Sequence, residues 1–278
     1  KKVCDMEESM IQSITSKENA AVKRVVKLIG SSKYRREQNA FVVEGVRLCM
    51  DALTSGIILE EFFYTEQAEE KYPSSVEALR GQAGKTILVS QAVMTHFTDT
   101  KTPQGVLCVC SMLDKNSSTY KMDSSNRLLA LEDLQDPSNL GTVLRTAEAL
   151  GVGGILMNRG CCDIYSPKVL RGSMGAVFRL PFLILEDLPG YLTQQKENGC
   201  SIYAAVPDRA ATPITEIPFS GRCIVAVGNE GNGLTEACIQ ACTQPVTIPM
   251  EGRAESLNAA TAASILIWEM VRSQNAER

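Results

Sequence analysis

Histidine is almost absent from this chain: among 278 residues the only imidazole is that of His96. A Ser-His-Asp triad or a histidine general base therefore has little to be built from. Zinc sites lack material too. Ten cysteines are present, but Cys108-x-Cys110, Cys161-Cys162 and Cys238-x-x-x-Cys242 contain no C-x-x-C pair. Several thiols lie inside apolar runs such as Gly105 to Cys110, where cysteine acts as a small hydrophobe. The expectation is free thiols in a reducing cytoplasm and no metal. No apolar run approaches the roughly 18–20 residues that span a bilayer, and Lys1 to Met10 lacks the apolar core of a signal peptide. A net positive charge is missing as well. A net charge of −4 argues against a protein that grips nucleic acid by bulk electrostatics.

What is present is unevenly distributed. Lys17, Lys23, Arg24, Lys27, Lys33, Arg35 and Arg36 crowd one short segment, opposed there by Glu18. The second half relies on arginine, with Lys168 and Lys196 its only lysines. Arginine is the better residue for bidentate phosphate contacts. A solvated helix face accounts for the same basic segment, and both readings stand. Hydrophobic content of 44% and charged content of 22% are those of a globular protein with room for two domains.

The first hundred-odd residues read as a small α/β unit, 13–113. Val22, Val25, Val26 and Ile29 share one helix face over Asn19 to Ile29. Strands are expected at 41–43, 61–64, 86–89 and 106–110, with helices over 46–53 and 91–97. Residues 114–126 are polar and turn-rich, which marks a linker. From 127 to 272 apolar strands alternate with helices. That predicts a mostly parallel sheet covered on both faces.

Three strand-to-helix loops carry the chemistry. The first, Glu132 to Arg145, turns at Asp136-Pro137 and opens a helix with Leu140, Val143, Leu144 and Ala147 on its buried face. Asn139 or Ser138 is its expected N-cap, Arg145 is positioned to pair with Glu148, and Gly141 would let a ligand approach the helix. The second, Gly228-Asn229-Glu230-Gly231-Asn232-Gly233, resembles a dinucleotide loop, but its G-x-x-G-x-G spacing is not that of the fingerprint. The third, Ile248 to Asn258, passes a proline and a glycine and delivers Ser256 and Asn258 to a helix expected over roughly 255–271. That helix is crowded with Ala259, Ala260, Ala262 and Ala263. Parallel sheets collect ligands beyond the carboxyl ends of their strands, so the loops can share one pocket.

In order and separation, Asn139 with Arg145, the Gly228 to Leu234 loop, and Ile248 to Asn258 resemble the motifs of the SpoU family of RNA ribose 2′-O-methyltransferases in the SPOUT superfamily. Phe41 to Arg47 and Thr102 to Val106 are similar to the RNA-substrate-binding domain often fused before it. The resemblance implies a C-terminal α/β sheet with a deep trefoil knot, and S-adenosylmethionine beside Gly228, Gly233, Ile248, Met250 and Leu257. It implies a catalytic set of Asn139, Arg145, Glu230, Ser256 and Asn258. RNA contacts would come from Lys23, Arg24, Lys33, Arg35, Arg36 and Arg47. It further implies a homodimer through the C-terminal domain, although an Ala-rich helix buried on its own sheet fits the same residues. The implied substrate is ribosomal RNA ahead of transfer RNA. A catalytically inactive, ribosome-associated RNA-binding protein of the same fold is the alternative from another class.

Overall fold

A computed structural model of the chain describes residues 12–98, 102–113 and 127–275. Two compact units divide between Leu113 and Asp114. The linker expected over 114–126 lies outside the described residues.

The first unit runs β1 (Gln12–Ile14), α1 (Ala20–Gly30), α2 (Ser32–Gln38), β2 (Ala40–Glu44), α3 (Val46–Thr54), β3 (Leu59–Tyr64), α4 (Glu66–Lys71), α5 (Pro73–Gln82), β4 (Lys85–Val89), α6 (Gln91–His96) and β5 (Val106–Ser111). Its sheet has the order β1-β4-β3-β5-β2, with β5 antiparallel to both neighbours. Asn19 caps α1 by accepting from the Ala21 amide at 2.9 Å. The helix then buries Val22, Val25 and Leu28 with Val42, Phe63, Ile87, Leu107 and Val109 of the sheet. Alternate strand residues Phe41, Val43, Phe62, Cys108 and Cys110 are buried too, so both sheet faces are covered. The sequence reading missed β1, α2, α4 and α5. Helix α4 buries just Ala68, and α5 just Val76 and Leu79, too few apolar positions to produce a periodic signal.

The second unit runs β6 (Arg127–Leu131), α7 (Pro137–Ala149), β7 (Gly154–Asn158), α8 (Pro167–Ser173), α9 (Ala176–Arg179), β8 (Phe182–Leu185), α10 (Leu188–Glu197), β9 (Ser201–Ala205), β10 (Thr212–Pro213), β11 (Cys223–Val227), α11 (Glu236–Ala241), β12 (Gln244–Thr247) and α12 (Ala259–Asn275). All pairings in its sheet, β10-β12-β9-β11-β6-β7-β8, are parallel, as the alternation of strands and helices predicts. Every residue of β6 and β11 is buried. Even Arg127 is accommodated, donating to the Phe219 carbonyl at 2.9 and 3.2 Å. Leu131 stands opposite Val227, so the loops that leave β6 and β11 emerge side by side. Strand β9 separates β12 from β11, and the β12 loop must cross its end to join them.

Two expectations need correction. Helix α12 begins at Ala259, not near Glu255, because the Asn258 side chain accepts from the Ala260 and Thr261 amides at 3.0 and 3.2 Å. A cap at Asn258 leaves Gly252 to Leu257 as open chain. Gly141 does not admit a ligand. A Cβ there would lie 2.9 Å from the Gly172 Cα and 3.0 Å from its carbonyl carbon, so the glycine lets α7 and α8 touch along their backbones. A G141A variant should lose about 1–3 kcal/mol of stability. Thermal unfolding should show its midpoint several degrees lower; an unchanged midpoint would mean that the two helices part freely.

Candidate active site

The first loop is shaped by turn chemistry at its end. Asp136, rather than Asn139 or Ser138, caps α7, accepting from the Ser138 amide at 2.7 Å with Pro137 in the first turn. This leaves the buried Asn139 side chain free for other partners. Upstream, Asp133 adopts a left-handed conformation with φ 54°. A reciprocal pair holds it there: its amide donates to Asn158 Oδ1 at 2.9 Å, and Asn158 Nδ2 donates to its carboxylate at 2.8 Å.

The second loop folds back on itself. Asn229 and Gly233 exchange two backbone hydrogen bonds of 3.0 Å. Asn229 Oδ1 accepts from the Gly231 and Asn232 amides, and its Nδ2 donates to the Asp133 carbonyl at 2.8 Å. Gly228 is required by this fold-back, since a Cβ there would sit 2.1 Å from the Gly233 carbonyl carbon. At the loop's exit Thr235 caps α11, and the buried Glu132 carboxylate accepts from its amide and hydroxyl, each at 2.8 Å.

Glu230 joins the loops. Its carboxylate accepts from the Gln135 amide at 3.2 Å, the Asp136 amide at 3.0 Å and Asn139 Nδ2 at 3.0 Å. Asn139 Oδ1 in turn accepts from Asn258 Nδ2 at 3.0 Å. Asn258 Oδ1 faces the α12 amides. A carboxylate only accepts and helix amides only donate, so both asparagine amides have one consistent orientation. Burial by itself pushes the Glu230 carboxyl up, but the hydrogen bonds from Asn139 and the backbone outweigh it and hold the group below its ordinary value.

Beside this chain lies a cleft of about 450 Å³, within the usual range for small-molecule sites. Gly228, Gly233, Ile248, Met250 and Leu257, all expected at a cofactor, line it together with Val227, Leu234 and Ala262. Of the expected catalytic set, Glu230 and Ser256 reach its wall. Asn139 and Asn258 stand behind them in the hydrogen-bonded chain. Arg145 does not line the cleft; it is exposed on α7, and its side chain forms no hydrogen bond or ion pair among the described residues. Glu148, its expected partner, pairs instead with Arg179 at 2.7 Å.

The expected RNA contacts divide. Arg36 and Arg47 are exposed, and Lys23 and Lys33 are exposed with Glu18 and Glu37 beside them. Arg24 is committed to Glu60 and Glu61, both at 2.8 Å. Arg35 is a correction: it is buried and donates to the Leu28 and Ile29 carbonyls at 2.6 and 3.0 Å, where it ends α1 instead of meeting solvent. Sequence reasoning also missed Glu132, Asp133, Asn158 and Asn229. Asn229, directly after Gly228 in a glycine-rich loop, was the one with a readable turn signal. Burial pushes the Cys161 and Cys162 thiols up to about 11 and about 12, so neither is a ready nucleophile.

Comparison with known proteins points to one family. The model of the SpoU rRNA Methylase family matches residues 126–268, and that of the MRM3-like substrate binding domain matches 19–108. An uncharacterised tRNA/rRNA methyltransferase of Synechocystis is 38% identical over 96% of both chains. The Bacillus subtilis 23S rRNA (guanosine(2553)-2′-O)-methyltransferase RlmP is 33% identical over 94% of this chain and 99% of its own. Among solved structures, the AdoMet-bound rRNA methyltransferase of Sinorhizobium meliloti aligns with a TM-score of 0.84 at 27% identity, covering 94% of this chain and 98% of that one. AviRb of Streptomyces viridochromogenes, in complex with AdoMet, also aligns at 0.84, with 26% identity and coverage of 94% and 100%.

The Glu230 brace predicts a pH signature. Its folded-state pKa is lowered, so its stabilisation is full above the ordinary carboxyl value of 4.5 and is lost as pH falls through the depressed value. An E230Q variant should be less stable than the parent at pH 7, and the gap in denaturation midpoint should close below about pH 4.5. A gap that does not change between pH 7 and pH 3 would remove the ionised carboxylate from the account.

Proposed function

Because the chain belongs to the SpoU rRNA methylase family, we propose that its cleft and looped network move a methyl group from S-adenosylmethionine to a ribose 2′-hydroxyl of ribosomal RNA. The observation that carries this is the cleft itself. Most of its wall is glycine and apolar side chains, with a few polar groups such as Glu230, Glu255 and Ser256 among them, which suits a flat purine. The residues fit the cofactor: Gly228, Gly233, Ile248, Met250 and Leu257 would hold it. When bound, it supplies an electrophilic methyl group on a sulfonium.

The chain's own residues then have to manage the acceptor. Glu230, Asn139 and Asn258 are fully engaged with one another, so their work is to hold the loop backbones in place. Ser256 is exposed, lines the cleft and makes no hydrogen bond among the described residues, which leaves its hydroxyl to meet the ribose. Arg145 is similarly uncommitted. A guanidinium keeps its proton in protein environments and is poorly suited to act as a base. Its role in this reading is to clamp a phosphate and stabilise negative charge as it grows on the 2′-oxygen. The exposed Lys23, Lys33, Arg36 and Arg47 would add sequence-independent phosphate contacts. The deep trefoil knot of the family belongs to the same reading and would pin the third loop against the second.

A homodimer completes the proposal. Ala259, Ala260 and Ala263 are buried within the chain's own fold, where α12 packs on α7, so they are not the exposed seam. Thr261, Ile265, Trp268 and Arg272 follow helical spacing along another stripe, and Trp268 is 53% exposed. An indole so open to water suits coverage by a second copy.

Two outcomes test this. An R145A variant should lose roughly 10²-fold or more in methyl transfer to ribosomal RNA while S-adenosylmethionine binding by calorimetry stays unchanged. Undiminished transfer removes Arg145 from the chemistry. Light scattering should return twice the 30.2 kDa chain mass at micromolar concentration, and a W268D variant should return the single mass. A parent protein that scatters as a monomer ends the dimer proposal.

A further inference from the structure

The charge on the cleft wall is lopsided. Among the residues that line it, Glu230 and Glu255 are the only charged ones, and no lysine, arginine or histidine joins them. The two carboxylates are not equivalent. That of Glu230 is consumed by three donors from the first loop. That of Glu255 has no hydrogen bond or ion pair among the described residues. Arg253, in the same loop, neither lines the cleft nor pairs with Glu255, and Arg209 donates to the Gly252 carbonyl at 3.4 Å. A cleft with one unspent anion on its wall and no lining cation attracts a ligand of net positive charge. It gains nothing comparable from a neutral ligand of the same shape.

We propose that Glu255 selects the charged methyl donor over its spent product. This rests on the cofactor reading above. S-Adenosylmethionine carries a sulfonium in addition to its balanced ammonium and carboxylate. Methyl transfer removes that charge and leaves S-adenosylhomocysteine neutral overall. The two ligands otherwise share their adenosine and amino-acid parts, so contacts from Gly228, Ile248 or Leu257 to those parts bind both alike. Charge is the property that changes, and Glu255 is the lining residue free to sense it. The consequence is directional: the cleft holds donor in preference to product and sheds the product after each turnover. Such selection lies outside the braced network, because Glu255 is not part of it.

The test measures binding, not activity. Calorimetric dissociation constants are obtained for S-adenosylmethionine, S-adenosylhomocysteine and sinefungin, an analogue with a protonated amine on the carbon that replaces the sulfonium. They are compared for the parent chain, E255Q and E251Q. Glu251 lies in the same loop but does not line the cleft, so its variant controls for the loop's overall charge. E255Q should weaken S-adenosylmethionine and sinefungin by roughly three- to tenfold, leave S-adenosylhomocysteine within about twofold, and show a smaller effect at high salt. E251Q should change none of the three appreciably. Equal weakening of all three ligands by E255Q would assign Glu255 to loop structure and overturn the proposal, as would no change at all. If the parent binds none of the three, the cleft is not the cofactor's, and the inference falls with the reading beneath it.

Discussion

A single hydrogen-bonded relay holds the site together: Glu230 to Asn139, Asn139 to Asn258, and Asn258 to the first amides of α12. Its direction is fixed at both ends. The carboxylate can only accept, and the helix amides can only donate, so each asparagine must present its nitrogen one way and its oxygen the other. The first two links tie one loop to another, and the third caps the helix that follows the last of them. Removing one partner would strand the polar groups left behind, and for the buried Asn139 the cost is that of an unmet amide in a dry setting. The relay therefore converts three separate connections into one surface, and the cleft is the space it borders.

The relay works because the sheet puts its donors and acceptors within reach. Parallel pairing of β6 with β11 places Leu131 opposite Val227, and the loops that follow start level with each other. The third loop must come from further away, past β9, and its reach is possible because α12 starts late, at Ala259. An earlier helix start would have drawn Ser256 and Leu257 into a helical turn and withdrawn them from the cleft wall. Asn258 thus does two jobs with one side chain: its oxygen ends the open segment by capping α12, and its nitrogen anchors that segment to Asn139. Close backbone approach is the other requirement. Gly228 permits the second loop to double back, and Gly141 permits α7 to lie on α8.

How much of this could be read from the residues depended on the kind of signal. Strands of the second unit were legible because runs such as Leu128 to Leu131 and Cys223 to Val227 are continuously apolar, the mark of strands covered on both faces. The three loops were legible as a set, and the five residues placed beside the cofactor do line one cleft. Polar residues whose partners are distant in sequence were not. Glu132 meets Thr235 across 103 positions, and Asp133 meets Asn158 across 25, and neither pairing has a local pattern. Arg35 misled for a related reason. Its neighbours make the segment look uniformly basic, and nothing local says that this one guanidinium turns inward to end a helix. Helix α4, with one buried residue, was invisible to any periodicity argument.

The residues of the site fall into two groups by what they have left to give. Glu132, Asp133, Asn139, Asn158, Asn229, Glu230 and Asn258 spend their polar atoms on one another and on loop backbone. Arg145, Ser256 and Glu255 spend none among the described residues. That division follows from what a preorganised site needs. Groups that hold geometry must be satisfied in the empty protein, because an unsatisfied brace would collapse or hydrate before a ligand arrives. Groups that recognise or stabilise changing charge must be unsatisfied, because a spent donor or acceptor has no preference between one ligand state and another. Family motifs mix the two kinds, since a brace and a reacting group can be equally necessary to activity. Hydrogen-bond accounting separates them: Asn139, Glu230 and Asn258 are spent on holding the loops, while Arg145, Ser256 and Glu255 keep their side-chain polar atoms unspent among the described residues.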